Sequence, residues 1–171
     1  MKTLPTLALA LAAGFAMITA APAADAGALN TADQKFVKMA AQHGASEVKV
    51  AEIGAKKAEN SEVKALAEMI IKDHTAANAE LKTFATAKGV DLSSSAPADA
   101  ATKVQDLERQ SGKAFDKEFL KDLIASHKKS VSHFEEASKD SKDGELKAWV
   151  DKTLPSLKAH LEQAKALEAK Y

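Results

Sequence analysis

Residues 69–81 read MIIKDHTAANAEL. At about 100° per residue, Ile70, Ala77 and Leu81 fall on one helical face, with His74 at its centre. An apolar stripe of this period is a helix face turned towards a core. The imidazole within it is either a satisfied core residue or a functional group. The choice depends on what the other helices present at the same height.

The same stripe extends back through Val63 and Ala67 and forward to Ala85, predicting a helix over residues 61–88. Asn60-Ser61 supplies its capping residue, and Gly89 stops it. Upstream, residues 31–59 place Phe36, Ala40, Gly44, Ala51, Gly54 and Ala58 on one face, whose small residues allow close helix approach. Downstream, GVDLSSSAPADAATKVQDLERQSGKAF (residues 89–115) is the one long connection. Within it, Pro97 is placed to open a short helix carrying Val104 and Leu107 and ending at Ser111-Gly112. A third long helix is expected to begin with Asp116 as N-cap, stapled by Phe115 and Leu120, and to turn Leu120, Leu123, Val131 and Phe134 inward. Asp143-Gly144 starts the fourth, with Leu146, Trp149, Thr153, Leu157, Ala164 and Leu167 along its seam. Pro155 lies inside it and should kink it or free the carbonyl of Asp151.

Two short-linked helical hairpins joined by a long segment predict an all-α protein, a four-helix bundle with a short extra helix between its second and third long helices. A ferritin-like crossover running the length of the bundle suits that segment, and an up-down bundle with an ornamented loop is the alternative.

Each long helix carries one ionisable side chain on its apolar face: Glu47, His74, His127 and His160. Glu47 and His74 are nearly equidistant from the turn at Asn60, and His127 and His160 flank the turn near Ser141 with a mismatch on the order of 6 Å. All four therefore lie near mid-length. Unpaired polar groups in such a core cost a few kcal/mol each, and more if charged. A single divalent ion would satisfy the four together, and imidazole and carboxylate suit zinc, copper(II), nickel or iron. Neither Cys nor Met lies in this layer, which argues against copper(I) there. Asp73 points about a quarter-turn away from His74 and would serve only as an outer acceptor. His43, one turn above Glu47, is expected at a boundary position, with a further ligand as the alternative, and His133 is expected to face solvent.

The N-terminus is a separate matter. Residues 1–23, with Lys2, an apolar run from Leu4 to Ala20 and the Ala21-Pro22-Ala23 exit, have the layout of a cleaved secretory signal peptide. The expected product is one domain over residues 24–171, in the periplasm or secreted, without stable membrane insertion. The chain has no cysteine and therefore no disulfide framework. Its 24 basic and 24 acidic residues are interspersed, which argues against nucleic-acid binding.

The segments DQKFVKMAAQHGASEVKVAEIGAKKAENSEVKALAEMIIKDHTAANAEL, SGKAFDKEFLKDLIASHKKSVSHFE and LPSLKAHLEQAKAL resemble a bacterial family of exported ferritin-like proteins, catalogued as domain of unknown function four-one-four-two. The most specific pieces are Asp73-His74, Phe115-Asp116 leading to His127, and Leu154-Pro155 leading to His160, and Glu47 matches the family's first-helix glutamate. The resemblance implies a ferritin-like bundle and export, and it implies no particular activity. The residues three before the inward histidines are Ile71, Ile124 and Leu157, so the Glu-x-x-His pattern of di-iron bundles is missing and any site should be mononuclear.

The leading expectation is a non-enzymatic exported bundle that binds one divalent ion, zinc before copper, iron or nickel, through Glu47, His74, His127 and His160, for buffering, delivery or stability. Two other readings stay open. One is a metal-free structural or stress-protective envelope protein whose four residues form a hydrogen-bonded core network. The other is an enzyme in which three histidines hold the metal and Glu47 moves protons. Haem between two histidines is a further alternative, without an attachment motif.

Overall fold

The computed structural model describes residues 27–93 and 100–171. The signal-peptide reading and the placement of Pro97 lie outside them. The described residues form five α-helices and no strand: α1 (Thr31–Lys57), α2 (Ser61–Ala87), α3 (Ala100–Glu108), α4 (Gly112–Asp140) and α5 (Gly144–Glu168).

The helix ends follow from local chemistry. Asn30, Asn60 and Asp143 accept hydrogen bonds from the first-turn amides of α1, α2 and α5. Gly89 adopts φ +70° while Val90 N–H returns to the Ala85 carbonyl at 2.8 Å, a closure that needs a left-handed residue after α2.

α4 departs from the sequence expectation. It begins at Gly112 after Ser111, so Asp116 is not its N-cap, and Phe115 and Leu120 both lie within the helix rather than stapling its entry. The reason is tertiary. The buried Asp116 carboxylate accepts the amides of Glu59 (3.0 Å) and Asn60 (2.9 Å) in the α1–α2 turn and the Tyr171 hydroxyl (2.8 Å). Phe115 and Phe119 meanwhile stack at 5.8 Å in the core.

α1 packs along α2 and α4 along α5, and the pairs meet as α1 against α4 and α2 against α5. Phe36 early in α1 meets Phe134 late in α4, and the backbone at Gly54 is approached by the Phe119 ring, so α1 and α4 run antiparallel. A Cβ at Gly54 would lie 2.3 Å from that ring, which explains the glycine. The ion pairs Glu80–Lys152 and Glu62–Lys170 show the same sense for α2 and α5. The chain between α2 and α4 therefore joins opposite ends of the molecule. α3 lies on that route against α1, with Leu107 buried and the Lys57 ammonium on the carbonyl of Glu108 at its C-terminus.

The apolar interior falls into two clusters. Phe36, Phe84, Phe134 and Trp149 belong to one, and Leu66, Ile70, Phe115 and Leu123 to the other. Glu47, His74, His127 and His160 are each buried, and along α1, α2, α4 and α5 they fall between the residues of one cluster and those of the other. This is the layer that the sequence predicts.

Candidate metal centre

His74, His127 and His160 reach the centre from α2, α4 and α5. Their ring centres form an equilateral triangle 5.5 Å on each side. The sequence implies a vertical mismatch between His127 and His160, and side-chain direction removes it. Every Cα–Cβ bond tilts towards its helix N-terminus. His127 therefore leans away from the α4–α5 turn, and His160, further from that turn, leans back towards it.

Each ring uses one nitrogen outward. His127 Nδ1 donates to the Leu123 carbonyl at 3.1 Å, since a carbonyl can only accept, and this leaves the lone pair on Nε2. His160 Nε2 donates to the Asp73 carboxylate at 3.1 Å, leaving the lone pair on Nδ1. His74 Nδ1 lies 3.1 Å from Glu47 Oε2, and once Glu47 is ionised that nitrogen donates and Nε2 holds the lone pair. The remaining atoms, Nε2 of His74, Nε2 of His127 and Nδ1 of His160, are buried and meet no protein hydrogen-bond partner. One nitrogen from each ring lies within 4.8 Å of the others. With Glu47 ionised, the three lone pairs with no donor between them form an electron-rich set suited to a cation.

Glu47 is placed differently from its three partners. Its carboxylate contacts His74 Nδ1, lies 3.5 Å from His127 Nδ1 and accepts a hydrogen bond from the Ser130 hydroxyl at 3.4 Å. The convergent metal-capable group comprises the three histidines without it. Helix direction again gives the cause: the side chain leans towards the start of α1 and reaches Ser130, almost one turn beyond His127 on antiparallel α4.

Burial dominates the electrostatics. Desolvation, then the neighbouring imidazoles, lowers His74 from the ordinary 6.5 to about 3. Desolvation, then His160, lowers His127 to about 4. His160 is also lowered by desolvation, against the opposing pull of Asp73. Desolvation raises Glu47 from 4.5 to about 7, opposed by Ser126 and Ser130. The close Glu47–His74 contact is thus a neutral hydrogen bond between about pH 3 and 7, not a buried ion pair.

These shifts set the pH response of the metal-free protein. The histidines have folded values below 6.5, so their contribution is complete above pH 6.5 and declines as pH falls towards the folded values near 3 and 4. The loss is roughly 1.4 kcal/mol per pH unit for each imidazole. Glu47 acts oppositely: its contribution is complete below pH 4.5 and lost as pH rises through about 7. Several imidazoles outweigh one carboxyl, so chelator-treated protein should be most stable near pH 6.5, with the steeper fall on the acid side. Thermal melts across the pH range check this. A melting temperature that continues to climb below pH 5.5 would contradict it.

The layer is approached from two sides. A cleft of about 150 Å³ between α2 and α5 is lined by Asp73, His74, Lys152 and His160, and the Asp73 side chain there is 37 % exposed. A second cleft of about 110 Å³ on the α1–α4 side reaches Glu47 past His43, Ser126 and Ser130. Sequence reasoning assigned Asp73 to an outer role beside His74, whereas it holds His160, across the α2–α5 interface. The signal was its quarter-turn offset, which directs it at the neighbouring helix. Ser130 and the Leu123 carbonyl were not anticipated; both lie about one turn from His127 on α4.

The chain belongs to the family described as Domain of unknown function (DUF4142), which matches residues 18–167. Among curated proteins no relative matches the sequence. Several solved structures share the fold. CopM in its Cu(I)-bound form is 27% identical, with a TM-score of 0.69 over 81% of this chain and 96% of that one. CopM in its Cu(II)-bound form is 24% identical, with a TM-score of 0.70 over the same shares, 81% and 96%. A DUF305 fragment from Deinococcus radiodurans is 14% identical, with a TM-score of 0.75 over 84% of this chain and 99% of that one. Among the described residues, no helix is long and apolar enough to cross a membrane.

Proposed function

We propose that this protein is an exported ferritin-like four-helix bundle that binds one transition-metal ion between His74, His127 and His160, and that it buffers or delivers that ion. The observation carrying this reading is the convergence of three buried rings, each offering one nitrogen within 4.8 Å of the others and each holding a buried nitrogen without a protein partner. A metal-free core network would pair those atoms, because a buried unsatisfied polar group costs about 1–3 kcal/mol. The crossover between opposite ends supports the ferritin-like topology, and the apolar run with its small-residue exit supports export.

In this reading Glu47 orients His74, and Asp73 orients His160, each through the nitrogen that does not face the ion. Three protein ligands leave a coordination position open, which favours exchange over a closed structural site. Copper is preferred over the zinc suggested by the ligand types alone. Imidazole nitrogens suit either metal, and the likeness to copper-bound CopM tips the choice.

The test is titration of chelator-treated protein with Cu(II), Cu(I) under reducing conditions and Zn(II), with bound metal measured after gel filtration. The expected result is one tight equivalent, copper displacing zinc, with stabilisation of about 4 kcal/mol when free ion is 1,000-fold above Kd. Absence of binding by all three ions would return the layer to a metal-free network. Zinc displacing copper would overturn the metal assignment alone.

A further inference from the structure

A second group of metal-ligating side chains lies outside the buried layer, in the α1–α4 groove. Met39 and His43 are four residues apart on α1 and so share a face. The His43 ring lies 6.1 Å, centre to centre, from that of His133 on α4, inclined at 56°. Met39 and His133 line one cleft. All three residues are half-buried, so they are held by their helices yet open to solvent on one side.

We propose that Met39, His43 and His133 form a second site, for a soft monovalent cation of the silver(I) or copper(I) class. Two imidazoles that share an ion through one nitrogen each, at about 2.0 Å, place their ring centres roughly 5–6 Å apart. The His43–His133 spacing lies just above that range, suited to a wide two-coordinate angle that a thioether can close. A thioether is a soft ligand, and it selects monovalent coinage ions over zinc. The buried layer has no sulfur, so the two sites should differ in preference. The groove site goes beyond the central-site reading and does not depend on it.

The helical domain supplies its own control. Of the four methionines in the chain, only Met39 and Met69 lie among the described residues, and Met69 packs in the other core cluster. The experiment is titration of the protein, carrying carbon-13 methionine methyls, with silver nitrate in chloride-free buffer, followed by NMR and by bound-silver stoichiometry. The expected result is a shift of the Met39 methyl that saturates with one silver equivalent, while Met69 stays in place. His133→Gln and His43→Gln should each abolish that shift. Met39→Leu should weaken silver binding at the groove about tenfold while the fold, followed by circular dichroism, is retained.

A Met39 methyl unmoved by silver, or a shift that survives both histidine variants, would overturn the groove site. Failure of the central site would show up separately, as copper(II) binding indifferent to His127→Ala. Zinc producing the same Met39 shift at equal concentration would overturn the assignment to soft ions.

Discussion

His127→Ala is expected to lower copper affinity by more than about a hundredfold, with His74→Ala and His160→Ala close behind, since each removes one of only three inward nitrogens. Glu47→Gln and Asp73→Asn should cost less, about 10–100-fold, because they touch the ion only through the rings they orient. This ranking distinguishes the two possible places of Glu47. As a direct ligand, the place its inward position in the sequence suggests, it would lose as much affinity as a histidine. The metal-free fold should be little changed by His127→Ala. Truncating a fully buried ring opens a cavity worth about 2–4 kcal/mol, but the change also removes an unpaired nitrogen worth about 1–3 kcal/mol. Competition with a chromophoric chelator gives the affinities, and urea unfolding of the metal-free variants gives the stabilities. Equal losses for Glu47→Gln and His127→Ala would place the carboxylate among the ligands.

The second large effect lies at the far end of the molecule. Asp116→Ala should destabilise the fold by about 3–5 kcal/mol, because it strips acceptors from the Glu59 and Asn60 amides and the Tyr171 hydroxyl at once. An aspartate that merely capped its own helix would cost only about 1 kcal/mol. Tyr171→Phe removes one of the three bonds and should cost about 1 kcal/mol. The phenol reports independently. Burial first, and Asp116 second, hold Tyr171 up at about 12, so its titration should move down when the carboxylate is removed. A drop in the urea midpoint at unchanged slope, larger for Asp116→Ala than for Tyr171→Phe, is the expected pattern. A loss below about 1 kcal/mol for Asp116→Ala would mean that the α1–α2 turn holds without it.

Much of this was legible because helix chemistry is local. Asn60, Gly89 and Asp143 mark their boundaries through bonds to residues two to five positions away, and they did so in the chain as written. Asp116 misled for the opposite reason: it stands just after an apolar residue, where a cap would stand, but its partners lie more than fifty positions away. His43 and His133 show the same limit. Periodicity put one at a boundary and the other in solvent, and only the packing of α1 on α4 brings the rings to 6.1 Å.

By itself the sequence determined that the fold is helical, where most helices begin and end, and that Glu47, His74, His127 and His160 point inward at similar heights. These are consequences of a 3.6-residue period and of contacts within one turn. Only the tertiary structure decided what those four residues do to one another. Antiparallel helices lean their side chains in opposite senses, which draws three rings into one triangle and drops Glu47 behind two of them. Which nitrogen of His160 is left with its lone pair was settled by Asp73 on another helix, and no spacing along a single chain carries that information.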